Sequence, residues 1–151
     1  MSEEVVRANA DREGVARTMG ITRLTFKVLG ADTGGGMFVI EQVNTATGGP
    51  PRHTHPDQDE WFYVVQGDYV VEVGDRSYAL GPGDSVLAPR GVPHVWACVG
   101  TGRGRMIVTF TPAGHMEAFF RRVATTDAMP TQDPALWEDH GMRVVGPPLV
   151  S

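Results

Sequence analysis

The segment His53-Thr54-His55, followed after four residues by Glu60 and further on by a lone His94, constrains this chain more than any other feature. Imidazole nitrogens and a carboxylate oxygen form the mixed N/O donor set that Fe(II), Mn(II), Ni(II), Co(II) and Zn(II) accept. Side chains alternate along a strand, so His53 and His55 share one face and Thr54 opposes them. A turn through Pro56-Asp57-Gln58-Asp59 returns the chain so that Glu60 opens the next strand. The turn-rich Pro89-Arg90-Gly91-Val92-Pro93 delivers His94 to another strand start. Ligands from separated segments need a folded barrel or sandwich to assemble them. His53, His55, Glu60 and His94 are therefore the candidate ligands of one divalent metal ion per chain.

The rest of the sequence predicts such a scaffold. Strand-like runs fall at 23–29, 37–43, 61–66, 69–73, 77–80, 85–88, 94–99 and 105–111, separated by breaks such as Gly67-Asp68, Gly74-Asp75 and Gly81-Pro82-Gly83. With 19 Gly and 11 Pro supplying turns, this cadence predicts an all-β antiparallel sandwich or barrel. The polar, irregular residues 1–19 read as an arm that adds an edge strand or packs on a partner. After Pro112 the period changes: Met116, Phe119, Phe120 and Val123 form the stripe of an amphipathic helix. Asp133 as N-cap and Pro134 at the first helical position begin a second short helix, which Gly141 ends. Phe119, Phe120 and Trp137 are expected to seal one side of the barrel, with a lid over the metal pocket as the alternative. The expected organisation is an arm (1–22), a β-barrel (23–112) and a C-terminal helical segment packed on it (113–151).

A length of 151 residues suits one domain. The net charge of −5 argues against a nucleic-acid partner. No apolar run approaches a membrane span, and Met1-Ser2-Glu3-Glu4 begins neither a basic region nor an apolar signal core. One cysteine excludes an internal disulfide framework. The expected location is the cytoplasm.

The stretch from Gly49-Pro50-Pro51-Arg52-His53-Thr54-His55 through Glu60 to Gly67 resembles the first cupin motif: H-x-H, three or four residues, E, six residues, G. The stretch from Gly83 to Pro89, Gly91 and His94 resembles the second, G-x5-P-x-G-x2-H. The family often has Asn four residues after that histidine, where this chain has Cys98. Asp32-Thr33-Gly34-Gly35, Thr111-Pro112-Ala113-Gly114 and the segment 141–148 extend the likeness toward single-domain bacterial cupins similar to quercetin 2,3-dioxygenases. The resemblance implies an antiparallel double-stranded β-helix, a jelly-roll barrel, and an enzyme that uses molecular oxygen on a flavonol-like or other phenolic or enolic aromatic compound.

Glu60 is both a candidate ligand and the candidate catalytic base. Its other reading is a carboxylate bonded to a ligand histidine. His115 and His140 read as structural, His140 near a helix C-terminus that favours an imidazolium. Asp57 and Asp59 read as solvated turn residues, and Gln58 as a weak donor for these metals. Alternation turns Trp96, Cys98, Phe62 and Val64 toward the metal and Val95, Ala97, Trp61 and Tyr63 away from it. Phe62, Val64, Trp96 and Cys98 would form an apolar wall suited to a flat aromatic or polyketide-like substrate. Cys98 can equally be inert packing. Three function classes follow: the dioxygenase, a redox-silent polyketide cyclase or isomerase using the metal as a Lewis acid, and a non-catalytic small-molecule binder. An exposed barrel edge and the arm predict a homodimer.

Overall fold

Alternation of buried and exposed residues along β3 (Phe38–Asn44) and β10 (Gly104–Thr111) gives strands with one face in a core and one toward solvent. The structure is a computed structural model that describes residues 5–124 and 133–149. The two strands pair antiparallel along their length. With β1 (Arg17–Met19), β2 (Thr22–Val28), β5 (Asp59–Gln66) and β8 (Ser85–Ala88) they form a six-stranded sheet of order β1-β2-β3-β10-β5-β8. A second, five-stranded sheet has the order β11-β4-β9-β6-β7. Its strands are β4 (Pro51–Thr54), β6 (Asp68–Val73), β7 (Arg76–Leu80), β9 (His94–Val99) and β11 (Arg143–Pro148). The sheets face each other as a jelly roll over Phe26, Phe38, Phe62, Val71 and Phe110, each 1% exposed or less. Burying each of these side chains contributes about 1.5–3 kcal/mol.

Two glycines permit close approaches next to the H-x-H segment and the β5–β6 hairpin. A Cβ at Gly49 would lie 2.0 Å from the Trp96 carbonyl oxygen, so only glycine lets the lead-in to β4 rest against β9. Gly67 has φ +85°, and a Cβ there would meet Arg103 O at 2.3 Å.

All eight expected runs form strands. β1, β4 and β11 lie outside them, β4 being the strand expected around His53. β1 is the edge strand expected of the arm, and buried Asp11 anchors it: the carboxylate accepts from Arg17 Nε at 2.9 Å and from Phe26 N at 2.8 Å. Arg17 in turn lies 3.8 Å above the Phe26 ring. β11 follows the two short C-terminal helices and pairs with β4, with register shifts around Gly146. Its Gly-Pro-Pro run does not read as a strand, but proline is tolerated at a sheet edge, where a missing N–H breaks no ladder.

On β9, outward-facing Val95 and Ala97 are both fully buried. Arg52 on β4 and Glu72 on β6 form an ion pair across the outside of β9, and Glu72 stands opposite Val95. The sheet's own long side chains thus cover a face that alternation alone would expose.

Helix α1 (Met116–Val123) buries Met116, Phe119, Phe120 and Val123, the expected stripe. In α2 (Pro134–Glu138) the Asp133 side chain accepts from Leu136 N and Trp137 is buried. Arg121 bonds Glu13 of the arm at 2.7 Å, and Glu117 accepts from Gly30 N at 2.9 Å. Among the described residues no helix is long and apolar enough to cross a membrane.

Candidate metal centre

His53 on β4 stands directly opposite His94 on β9 in the second sheet. After Thr54 the chain leaves that sheet, turns, and enters β5 of the first sheet at Asp59. Glu60 therefore faces the histidines from the other side of the jelly roll, with His55 in the crossing segment. One ligand atom from each of the four lies within 4.8 Å of the others, and all four residues are buried. The His55 and His94 rings are parallel, 5.3 Å apart at 4°, and both Nε2 atoms are 2.9 Å from Glu60 Oε1.

The opposite nitrogen of each ring faces an acceptor oxygen. His53 Nδ1 donates to Pro51 O at 2.8 Å, His55 Nδ1 meets Gln58 Oε1 at 3.3 Å, and His94 Nδ1 meets Val92 O at 3.3 Å. Gln58 is itself fixed, because its Nε2 donates to Pro112 O at 2.8 Å and Ala113 O at 2.7 Å. Such outer contacts set the tautomer and aim Nε2 at the centre. Gln58 thus supports a ligand histidine rather than approaching as a ligand itself. A buried amide three positions after His55 carries no sequence signal for that role.

This donor set fits a divalent cation. His55 Nε2 is buried and makes no hydrogen bond despite its closeness to Glu60. A neutral imidazole carries one ring proton. With Nδ1 as the donor, the Nε2 lone pair faces a carboxylate lone pair, and a shared cation stabilises that arrangement. Burial drives His53 down to about 3, and the neighbouring His94 and His55 add to the effect. Burial alone would push the Glu60 carboxyl up, but His94 and His55 outweigh it and hold the group well below the usual carboxylate range. A neutral His53 imidazole and an ionised Glu60 carboxylate are forms that coordinate metals.

The two turns that carry the ligands are tied together. Gly91 N donates to His55 O at 2.9 Å, and Arg90 bonds the Asp59 carboxylate through its backbone N at 2.8 Å and its guanidinium at 3.2 Å. The Arg90 hydrogen bonds hold the Asp59 carboxyl below its ordinary value. Asp57 is exposed, as expected of a turn residue. Asp59 is instead a linking group. His140 Nδ1 donates to Leu136 O at 2.8 Å, and exposed His115 sits at the N-cap of α1; neither joins the cluster.

A cavity open at its mouth adjoins the centre, and His53, His55 and Glu60 form part of its wall. Trp96, Phe110, Phe119 and Trp137 supply aromatic surface. The Trp137 ring lies 4.9 Å from that of His53 and the Phe110 ring 5.7 Å from that of His55. The helices therefore both seal the jelly roll and roof the pocket. Of the four residues expected on the substrate wall, Trp96 is there, while Phe62, Val64 and Cys98 are not. They face inward, but core packing takes them. Phe62 is fully buried with its ring 5.9 Å from that of His94. Val64 is fully buried as well. Cys98 is buried against Tyr69, and burial pushes its thiol up. Alternation selects the inner face of a strand but does not separate core from cavity.

The cupin domain family matches residues 39–110, the stretch from β3 through β10 that carries all four candidate ligands. The chain carries a cupin domain. An oxidoreductase of Arthrobotrys oligospora is 28% identical over 72 residues, 46% of this chain and 28% of that protein. Bacillus subtilis YdbB is 41% identical over 65 residues, 38% of this chain and 58% of that protein. The chain thus spans less than two thirds of the length of either curated relative. Among solved structures, KdgF from Halomonas sp. superposes with a TM-score of 0.60 at 21% identity, covering 73% of this chain and 94% of that one. That likeness concerns the fold.

Proposed function

We propose that this cupin is a metal-dependent dioxygenase acting on a flavonol-like or other phenolic or enolic aromatic compound. The observation that carries the reading is a buried three-histidine, one-glutamate cluster set in the wall of an apolar, aromatic-lined cavity. A divalent ion held by His53, His55, Glu60 and His94 would supply Lewis acidity and, if redox-capable, electron exchange with molecular oxygen. Trp96, Phe110, Phe119 and Trp137 stack against a flat ring and exclude water. Glu60 is the carboxylate of the cavity wall, held ionised, and in this reading it would take a proton from a phenolic or enolic hydroxyl. The relative named as an oxidoreductase supports the reaction class over the segment it shares.

The test loads the protein separately with Fe(II), Mn(II), Ni(II), Co(II) and Zn(II) and mixes each form with a flavonol under air and under nitrogen. A redox-capable metal is expected to support oxygen uptake and bleaching of the flavonol band, while Zn(II) does not. Turnover of a polyketide-like substrate with Zn(II) under nitrogen would replace this reading with a cyclase or isomerase. Ligand binding with no turnover under any metal would leave a binder. Replacing Glu60 by Gln is expected to lower the rate by roughly 10²–10⁴-fold while metal remains on three histidines. A fully loaded Glu60→Gln protein with unchanged rate would remove the base from the account.

The functional unit in this reading is a homodimer. Trp61 (38% exposed), Val65 (39%) and Leu87 (51%) stand on the outer face of the first sheet, and Trp61 and Leu87 are direct cross-strand partners. A cluster of exposed apolar groups beside an edge strand suits burial against a second copy.

A further inference from the structure

Among the described residues Gln42, on β3, is the one side-chain amide on the cavity wall. Its side chain belongs to a residue only 3% exposed, and no protein group accepts from its buried Nε2. Buried amide donors almost always find an acceptor, and leaving one unpaired is costly. The other buried amides near it are satisfied: Gln58 bonds two carbonyls, and Asn44 joins Thr22 and Tyr69. Gln42 stands out because its side chain lines a space that a ligand can fill.

Strand register places it at the far end of that space. Glu60 is opposite Phe110, and Phe110 is opposite Phe38. Gln42 is opposite Met106 instead. The rise along β3 from Phe38 to Gln42 is about 13 Å. A ligand reaching from the metal centre to Gln42 is therefore elongated, on the scale of two or three fused or linked rings. The remaining wall chemistry narrows its polarity. Among the described residues no Lys or Arg lines the cavity, so a carboxylate or phosphate at the far end would be desolvated without a counter-charge.

We propose that Gln42 is the specificity-determining donor of this cavity, bonding an acceptor oxygen at the end of a flat, neutral ligand opposite its metal-binding oxygens. The inference rests on the aromatic-substrate reading above and adds the feature that selects among such substrates. A ligand ending in hydrocarbon leaves the Gln42 N–H unpaired and is rejected, whereas a phenolic, ether or carbonyl oxygen satisfies it. Discrimination of this kind is strong, because the penalty falls on a buried polar group of the protein.

Two probes on Zn(II)-loaded protein test it without turnover: flavonol itself, and kaempferol, which adds hydroxyls on both outer rings. Their dissociation constants are read from quenching of tryptophan fluorescence, for the wild-type protein and for Gln42→Met, which keeps length and volume but removes the donor. The wild-type protein is expected to bind kaempferol roughly tenfold more tightly than flavonol, and Gln42→Met to lose that preference through kaempferol alone. The ligand-free variant should melt at or above the wild-type temperature, since an unpaired buried amide has been removed. Gln42→Leu repeats the comparison if Met disturbs the packing. Equal weakening of both probes with a lower melting temperature would mark Gln42 as structural and overturn the proposal. An unchanged kaempferol preference would overturn it too, as would failure of either flavonoid to bind the wild-type protein. Metal content measured on the same samples keeps the fate of the metal centre separate from each of these results.

Discussion

At the scale of single residues, the centre depends on side chains that never touch its focal point. The Nδ1 contacts of His53, His55 and His94 aim three lone pairs inward. Gln58 is the one support supplied by a side chain, and it hangs from two backbone carbonyls. Replacing Gln58 by Leu is therefore expected to weaken metal affinity by roughly 10–100-fold, measured by competition with a chelator. An affinity within error of wild type would mean that His55 needs no such support. The ligands themselves are legible from the sequence, because four metal-binding residue types recur at spacings that two strands and a turn can bring together. Gln58 and Gln42 are not, since an amide's role depends on what it faces across the fold.

At the scale of elements, the arm is held by one carboxylate. Burial alone would raise the Asp11 carboxyl. The Arg17 side chain and the backbone N–H groups of Phe26 and Glu13 prevail, however, and hold it below 3.8. A depressed carboxyl contributes stability that is present above the unfolded value and lost as pH falls through the folded one. Asp11→Asn should then lower stability by about 1–3 kcal/mol at neutral pH in urea unfolding. The gap to wild type should narrow below pH 3.8. A gap that persists undiminished into acid would show that the charge of Asp11 contributes nothing. β11 is the element that sequence periodicity hides, because Gly146, Pro147 and Pro148 look like a loop and form a strand only at an edge that β4 offers. The stripe of α1 and the Asp133 cap of α2 are local signals, and both are legible.

For the whole molecule, assembly is the expectation with the plainest readout. Light scattering at micromolar protein should give twice the chain mass, and Trp61→Glu with Leu87→Glu should return it to the monomer. A monomeric wild-type protein would sink the dimer. The all-β architecture follows from the spacing of Gly- and Pro-rich breaks, and the inner and outer faces of β3, β5 and β10 follow from alternation. Depth within the interior does not. Phe62 and Val64 share the inner face of β5 with Glu60, yet Glu60 meets the cavity and the other two meet core. Helices α1 and α2 add Phe119 and Trp137 to the cavity wall from a part of the chain distant in sequence.

The proposed activity depends on one ion at the point shared by His53, His55, Glu60 and His94. The direct measurement is elemental analysis of protein purified without a metal-chelating tag, alongside His53→Ala and His94→Ala. The account predicts close to one divalent ion per wild-type chain and a marked loss in each variant that remains folded. Full metal occupancy in both variants would contradict it.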